Sequence, residues 1–184
     1  MDNYPSGIDS QTQLSGMEKL GQTMRKFHDV TENFVQQEND SWMLSYPGMR
    51  DKEVICHNDI APYNTVFENG IPTAFIDFDT CCPAPRIWDI VYAMYRFVPF
   101  VQKYHTENHA HKRDCIEAFF KGYNIPCPED LFVVMIERLQ TLADFILQEA
   151  NDGNKAFVKM LADGHRDLYL SEIKYIEMYQ NYWI

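Results

Sequence analysis

Apolar residues recur at three- and four-residue steps in Met17, Leu20, Met24, Phe27 and Val30, which predicts an amphipathic helix over about 15–31. Ser15, with Glu18 three residues on, fits a capping box at its start. Residues 36–52 are polar and turn-rich, with Pro47-Gly48 as a breaker. Val54-Ile55-Cys56 is a short apolar run leading into His57, and the loop from His57 to Asn64 contains Pro62. Thr65 to Phe67 and Pro72 to Ile76 are β-type runs on either side of Asn69-Gly70, the strongest short hairpin signal. A two-residue turn there pairs Glu68 with Ile71 and Thr65 with Ala74. Continuing that register sets Asn64 beside Phe75, close to Asp77.

From Arg86 onward the pattern is helical. Ile87, Val91, Tyr95 and Val98 mark one helix, ended by Pro99. A second is expected from about Glu107 to Tyr123, closed by Gly122. A third follows Pro128 and runs to about Asn151, where Val133, Ile136, Leu139, Phe145 and Ile146 suggest a central place in the core. A fourth, interrupted near Gly164, carries the chain to its end. No repeat or low-complexity tract is visible. The expected fold is mainly α (α+β): one domain over 1–184, a helical bundle with a small β-hairpin inserted early.

Composition narrows the function classes. A chain of 184 residues suits one domain. Its net charge is 16 minus 27, or −11, which argues against nucleic acid or an anionic membrane as partner and favours a cationic partner or a divalent metal. No apolar run is long enough for a transmembrane helix, and Met1 to Gly16 lacks the apolar centre of a signal peptide, so a cytoplasmic location is expected. Cys56, Cys81, Cys82, Cys115 and Cys127 form no C-x-x-C pair, and their odd count suits reduced, small apolar residues better than a zinc site.

The chemistry is concentrated in His57-Asn58-Asp59-Ile60-Ala61-Pro62-Tyr63-Asn64 and in Ile76-Asp77-Phe78-Asp79. The hairpin brings the Asn64 amide oxygen and the Asp77 carboxylate to its open end. Oxygen ligands of this kind suit Mg²⁺, which takes one or two carboxylates and lets substrate phosphates supply the rest. Asp59, five residues before Asn64, is placed to accept a proton from a hydroxyl near that metal. A hairpin with incidental loop carboxylates is the plain alternative. The ordered set His-x-Asp-x4-Asn, hairpin, Ile-Asp-Phe is more specific, being the arrangement in which a kinase-type catalytic loop precedes a metal-binding aspartate.

This stretch resembles the aminoglycoside phosphotransferase and choline kinase family, relatives of the protein kinases. The resemblance extends to the helix containing LGQTMRKFHD, to PAPRIWDIVYAMYRF and to LADGHRDLYLSEIKYI, about residues 15–180 in all. It implies a kinase-like C-terminal lobe in which Asp59 is the catalytic base, Asn64 and Asp77 hold Mg²⁺, and ATP is the phosphate donor. It implies further that His57 braces the loop and that Asp89 is a buried anchor for it. Asn58 stands where a glycine is common. Asp79 replaces the glycine of the protein-kinase Asp-Phe-Gly triplet, and is either a third acidic group near the metal or a cap of the next loop.

The resemblance also implies an N-terminal β-rich lobe carrying a phosphate-binding lysine and a loop over the nucleotide. Residues 1–14 hold no lysine, no Gly-x-Gly and no β pattern, so the chain is expected to be the C-terminal lobe alone, with weak activity or none. In the helix after Pro128, Asp130, Glu137 and Asp144 recur every seven residues on one ridge. The ridge is either a solvent-facing face or an acidic wall for a cationic, hydroxyl-bearing substrate, a class the family resemblance favours. Two functions follow: a Mg²⁺- and ATP-dependent phosphotransferase, or a non-catalytic lobe serving as a binding or oligomerisation module. A homodimer is expected, built on surface near Tyr4, Ile8, the hairpin and Phe78.

Overall fold

The computed structural model describes residues 9–98, 100 and 109–184; Tyr4, Ile8, Pro99 and the expected helix start at Glu107 lie outside these. Its first element is helix α1, Ser10–Thr31. The helix begins five residues earlier than the Ser15 capping box predicts, because the Asp9 carboxylate accepts the Thr12 N–H at 2.9 Å and caps it there. Met17, Leu20 and Met24 are fully buried, as their spacing predicts. Val30 is 81% exposed, lying just past the edge of that stripe.

Strand β1, Val54–Cys56, pairs antiparallel with β4, Cys82–Ala84. The hairpin consists of β2, Thr65–Glu68, and β3, Ile71–Phe75. Its turn residues Asn69 and Gly70 have φ of 51° and 80°, the two positive values that a type I′ turn requires. Glu68 faces Ile71 as expected, but a bulge then shifts the register, so that Thr65 faces Phe75 and not Ala74. Pro72 has no N–H for the ladder, and the extra residue turns both Pro72 and Phe75 toward the core. The expected Asn64–Phe75 pairing is therefore corrected: the Asn64 carbonyl accepts the Ile76 N–H at 3.0 Å, one residue nearer to Asp77.

Five more helices follow among the described residues: α2 Arg86–Phe97, α3 His109–Tyr123, α4 Leu131–Asn151, α5 Lys155–Ala162 and α6 His165–Tyr179. The fold is mainly helical, with two small antiparallel sheets. No helix among the described residues is long and apolar enough to cross a membrane. Helix α4 packs on α2, α5 and α6 and buries Leu139 and Ile146, while Val133, read as a core position, is 54% exposed.

Gly122 does not close α3. That role falls to Asn124, in the left-handed region at φ 65°, with its N–H on the Phe120 carbonyl at 2.9 Å. Gly122 lies inside the helix where α3 meets α1: a Cβ there would stand 1.9 Å from the Glu18 carbonyl oxygen, and one on Gly21 would stand 2.2 Å from the Phe119 carbonyl oxygen. The helices touch backbone to backbone, which brings Tyr123 of α3 against His28 of α1.

Gly122→Ala is expected to destabilise the fold by roughly 3 kcal/mol, since neither backbone can yield without moving a helix. Gly153→Ala, with nothing within 4 Å, should cost only about 1 kcal/mol of left-handed strain. Urea unfolding of both variants checks the ordering.

Candidate active site

The site is built around a carboxylate that does not itself face the reacting space. Asp89, in the first turn of α2, is fully buried. Its Oδ2 accepts the His57 N–H at 2.9 Å and its Oδ1 accepts the Asn58 N–H at 2.9 Å. Oδ2 also meets His28 Nε2 at 3.1 Å. An ionised carboxylate only accepts, so that ring nitrogen carries the proton, and His28 Nδ1 pairs with the Tyr123 hydroxyl at 2.7 Å. Burial alone would push the Asp89 carboxyl up, yet the His28 imidazole and then His57, whose amide donates to it, hold it below its ordinary 3.8. Burial pushes the Tyr123 phenol up to about 12, so it keeps its proton for this network.

The loop that Asp89 holds is further constrained. His57 is fully buried, with Nε2 on the Ile76 carbonyl at 3.0 Å, and so ties the loop to the end of β3. Asn58 has φ of 66°, in the left-handed region that glycine favours and asparagine tolerates. Its Nδ2 donates to the Thr80 carbonyl at 2.9 Å, and the Thr80 hydroxyl donates to the His57 carbonyl at 2.8 Å. From α4, Arg138 Nη2 donates to the Asn58 carbonyl at 2.8 Å, with its guanidinium 4.7 Å from the Tyr92 ring centre and 5.3 Å from that of Trp88.

Asp59 emerges half-buried from this frame. Its Oδ2 accepts Asn64 Nδ2 at 2.9 Å and its Oδ1 accepts the Tyr63 hydroxyl at 2.7 Å. Burial, followed by the Asp59 charge, raises the Tyr63 phenol, so Tyr63 remains a donor. With Nδ2 turned to Asp59, the Asn64 Oδ1 accepts no hydrogen bond among the described residues. Asp77, exposed and at φ 66°, is likewise free of hydrogen bonds to described residues. The Asn64–Ile76 backbone hydrogen bond ties Asn64 to the residue preceding Asp77, and as hard, unengaged oxygens the two side-chain groups fit Mg²⁺. Asp79 is exposed, two residues beyond.

Asp130 is the N-cap residue of α4 and pairs with Arg50 at 2.7 Å; Glu137 and Asp144 are exposed, the latter accepting from Gln140 at 3.0 Å. His28 and Arg138 were not signalled by the motif, although each is a polar residue on the apolar stripe of its helix. His28, Cys56 and Asp89 approach within 4.8 Å of one another, a spacing that would suit a metal. Their polar atoms are already engaged, Cys56 Sγ with the Pro85 carbonyl at 3.4 Å, and burial pushes that thiol up. All five cysteines are free thiols.

The sequence matches the model of the phosphotransferase enzyme family (APH) over residues 9–124. It is also similar to the trifolitoxin immunity protein of Rhizobium leguminosarum bv. trifolii, at 31% identity over 67 residues, which is 35% of this chain and 26% of that protein. The match thus spans about a quarter of that relative's length. No solved structure matches.

Because the folded Asp89 carboxyl sits below its ordinary 3.8, its contribution to stability is complete above that value and is lost as pH falls through the lower folded value. Asp89→Asn is expected to lower stability at neutral pH by about 3 kcal/mol. It should also flatten the loss of stability seen in the unaltered protein as pH falls below about 4. Denaturant unfolding across that range checks both.

Proposed function

This chain belongs to the phosphotransferase enzyme family, and from that premise we propose that it takes part in Mg²⁺-dependent transfer of the terminal phosphoryl group of ATP to a hydroxyl of a small cationic molecule. The observation that supports the reading is the half-buried Asp59 carboxylate held by Asn64, whose carbonyl accepts from the residue preceding Asp77. Asp59 accepts the proton of the attacking hydroxyl as the new oxygen–phosphorus bond forms and the bond from the γ-phosphorus to the bridging oxygen breaks, releasing ADP. Tyr63 and Asn64 hold that carboxylate in one orientation, and His57 and Asp89 hold the loop beneath it. Asn64 Oδ1 and the Asp77 carboxylate would hold Mg²⁺, which would supply positive charge against the phosphate oxygens. The net charge of −11 and the exposed Glu137 and Asp144 support a cationic acceptor.

Phosphoryl transfer depends almost wholly on positioning and charge stabilisation. The residues named here supply oxygen donors and no cation for the phosphates, so the 184-residue chain is expected to bind ATP weakly, with Kd in the high micromolar range or worse, about −5 kcal/mol. Transfer from labelled ATP to kanamycin-like or choline-like acceptors is therefore slow. A phosphate-binding lobe of the family, fused or in trans, should raise it. Asp59→Asn is expected to lower the raised rate by about 10²–10⁴-fold, and chelation of Mg²⁺ to abolish it. Calorimetry and radiolabel transfer check these outcomes. Full transfer by Asp59→Asn would remove Asp59 from its assigned role. Nucleotide binding with no transfer under any of these conditions would favour a non-catalytic binding module.

A further inference from the structure

Tyr63 presents its hydroxyl directly to the Asp59 carboxylate, donating to Oδ1 at 2.7 Å. A general base takes a proton from a group within about 2.6–3.2 Å, so this phenol stands where an acceptor hydroxyl has to stand. The other carboxylate oxygen accepts Asn64 Nδ2 at 2.9 Å. One carboxylate thus joins a hydroxyl to the residue assigned to Mg²⁺. Tyr63 immediately precedes Asn64 in the short turn Pro62–Asn64 and is 57% exposed, so a ligand can reach it from solvent.

The phenol is held in that position. Arg96 of α2, itself buried, has its guanidinium 5.2 Å from the Tyr63 ring centre. The hydroxyl of buried Tyr92 also donates to the Tyr63 oxygen. A phenol carries one proton and two lone pairs. With the proton on Asp59 and one lone pair toward Tyr92, the second lone pair is left for an electrophile. Burial and then the Asp59 charge keep the phenol protonated, the state in which a base can draw on it.

We propose that Tyr63 is a site of self-modification, taking the terminal phosphoryl group of ATP within one chain. The inference rests on the reading of Asp59 as the base. The Tyr63 oxygen bonds to the γ-phosphorus as the bond from that phosphorus to the bridging oxygen breaks. The phenol proton passes to Asp59, and ADP leaves with the electron pair of the broken bond. Attachment to the loop that carries the base gives this hydroxyl a high effective concentration. One event per chain is sufficient, so slow chemistry still accumulates product. The new phosphate adds about −1.5 to −2 charge beside Asp59. It also fills the place of a small acceptor, so the modified chain is blocked for transfer to one.

The test incubates the full chain with about 5 mM MgATP and no small acceptor, alone and with a phosphate-binding lobe of the family. The intact mass is expected to gain one phosphoryl group, which peptide mapping places on Tyr63. Its first-order rate should hold constant over about a tenfold range of chain concentration, as an intramolecular step requires. Tyr63→Phe should abolish the gain, and Asp59→Asn should slow it by about 10²-fold or more. Without turnover, a non-hydrolysable ATP analogue with Mg²⁺ should shift the Tyr63 Cζ resonance with the Kd that calorimetry gives for the analogue. Analogue binding that leaves Cζ unmoved, phosphate on other residues only, or a rate proportional to chain concentration would each overturn the inference. Asp59-dependent transfer to a kanamycin-like acceptor, with none to Tyr63 when that acceptor is left out, would overturn it and leave the proposed function standing. Loss of both kinds of transfer would overturn the two together.

Discussion

The Asp89 carboxylate is the interaction on which the site depends. A fully buried charge is costly unless it is compensated on all sides, and here it receives two backbone amides and one imidazole. The amides belong to the two residues preceding Asp59, so the compensation of one charge fixes the approach of the loop. His28 extends the network to α1 and Tyr123 extends it to α3. That reach exists because Gly21 and Gly122 let the two helices meet without intervening side chains. A packing feature of the helical layer thus determines where a carboxylate of the site can stand.

The second constraint is the hairpin. Its bulge places Ile76, and not Phe75, opposite the Asn64 carbonyl, and Asp77 then turns into the left-handed region. Asn58 adopts the same backbone region in the preceding loop. The two bends lie on segments already tied together by His57 Nε2 and the Ile76 carbonyl. Side chains that leave such bends have little backbone freedom to lose when a ligand binds, which is the physical basis of preorganisation.

Much of this was legible in the residues. The stripe of Met17, Leu20 and Met24, the Asn69-Gly70 turn and the apolar character of α4 each follow a local rule, and local rules are written in adjacent residues. Asp59, Asn64 and Asp77 stand out together because their spacing is tied to loop and hairpin length, while Asp89 enters only through the family resemblance. The start of α1 is less legible, since Asp9 and Ser15 both offer a cap and only Asp9 takes it. The bulge does not follow from the two-residue turn, although Pro72 marks a position that cannot donate to a ladder. The roles of His28, Arg138 and Gly122 depend on partners 61, 80 and 104 residues away, and no periodicity encodes such pairings.

The central claim is that Asn64 and Asp77 form one metal-and-phosphate junction beside Asp59. Its most direct test is anomalous diffraction from crystals of this chain holding Mn²⁺ and a non-hydrolysable ATP analogue. The account predicts an anomalous peak within bonding distance of both Asn64 Oδ1 and the Asp77 carboxylate, with a phosphate oxygen completing its coordination and Asp59 left unligated. A peak elsewhere, or an Asn64 amide more than about 8 Å from the Asp77 carboxylate, too far for shared or water-bridged coordination, would contradict it.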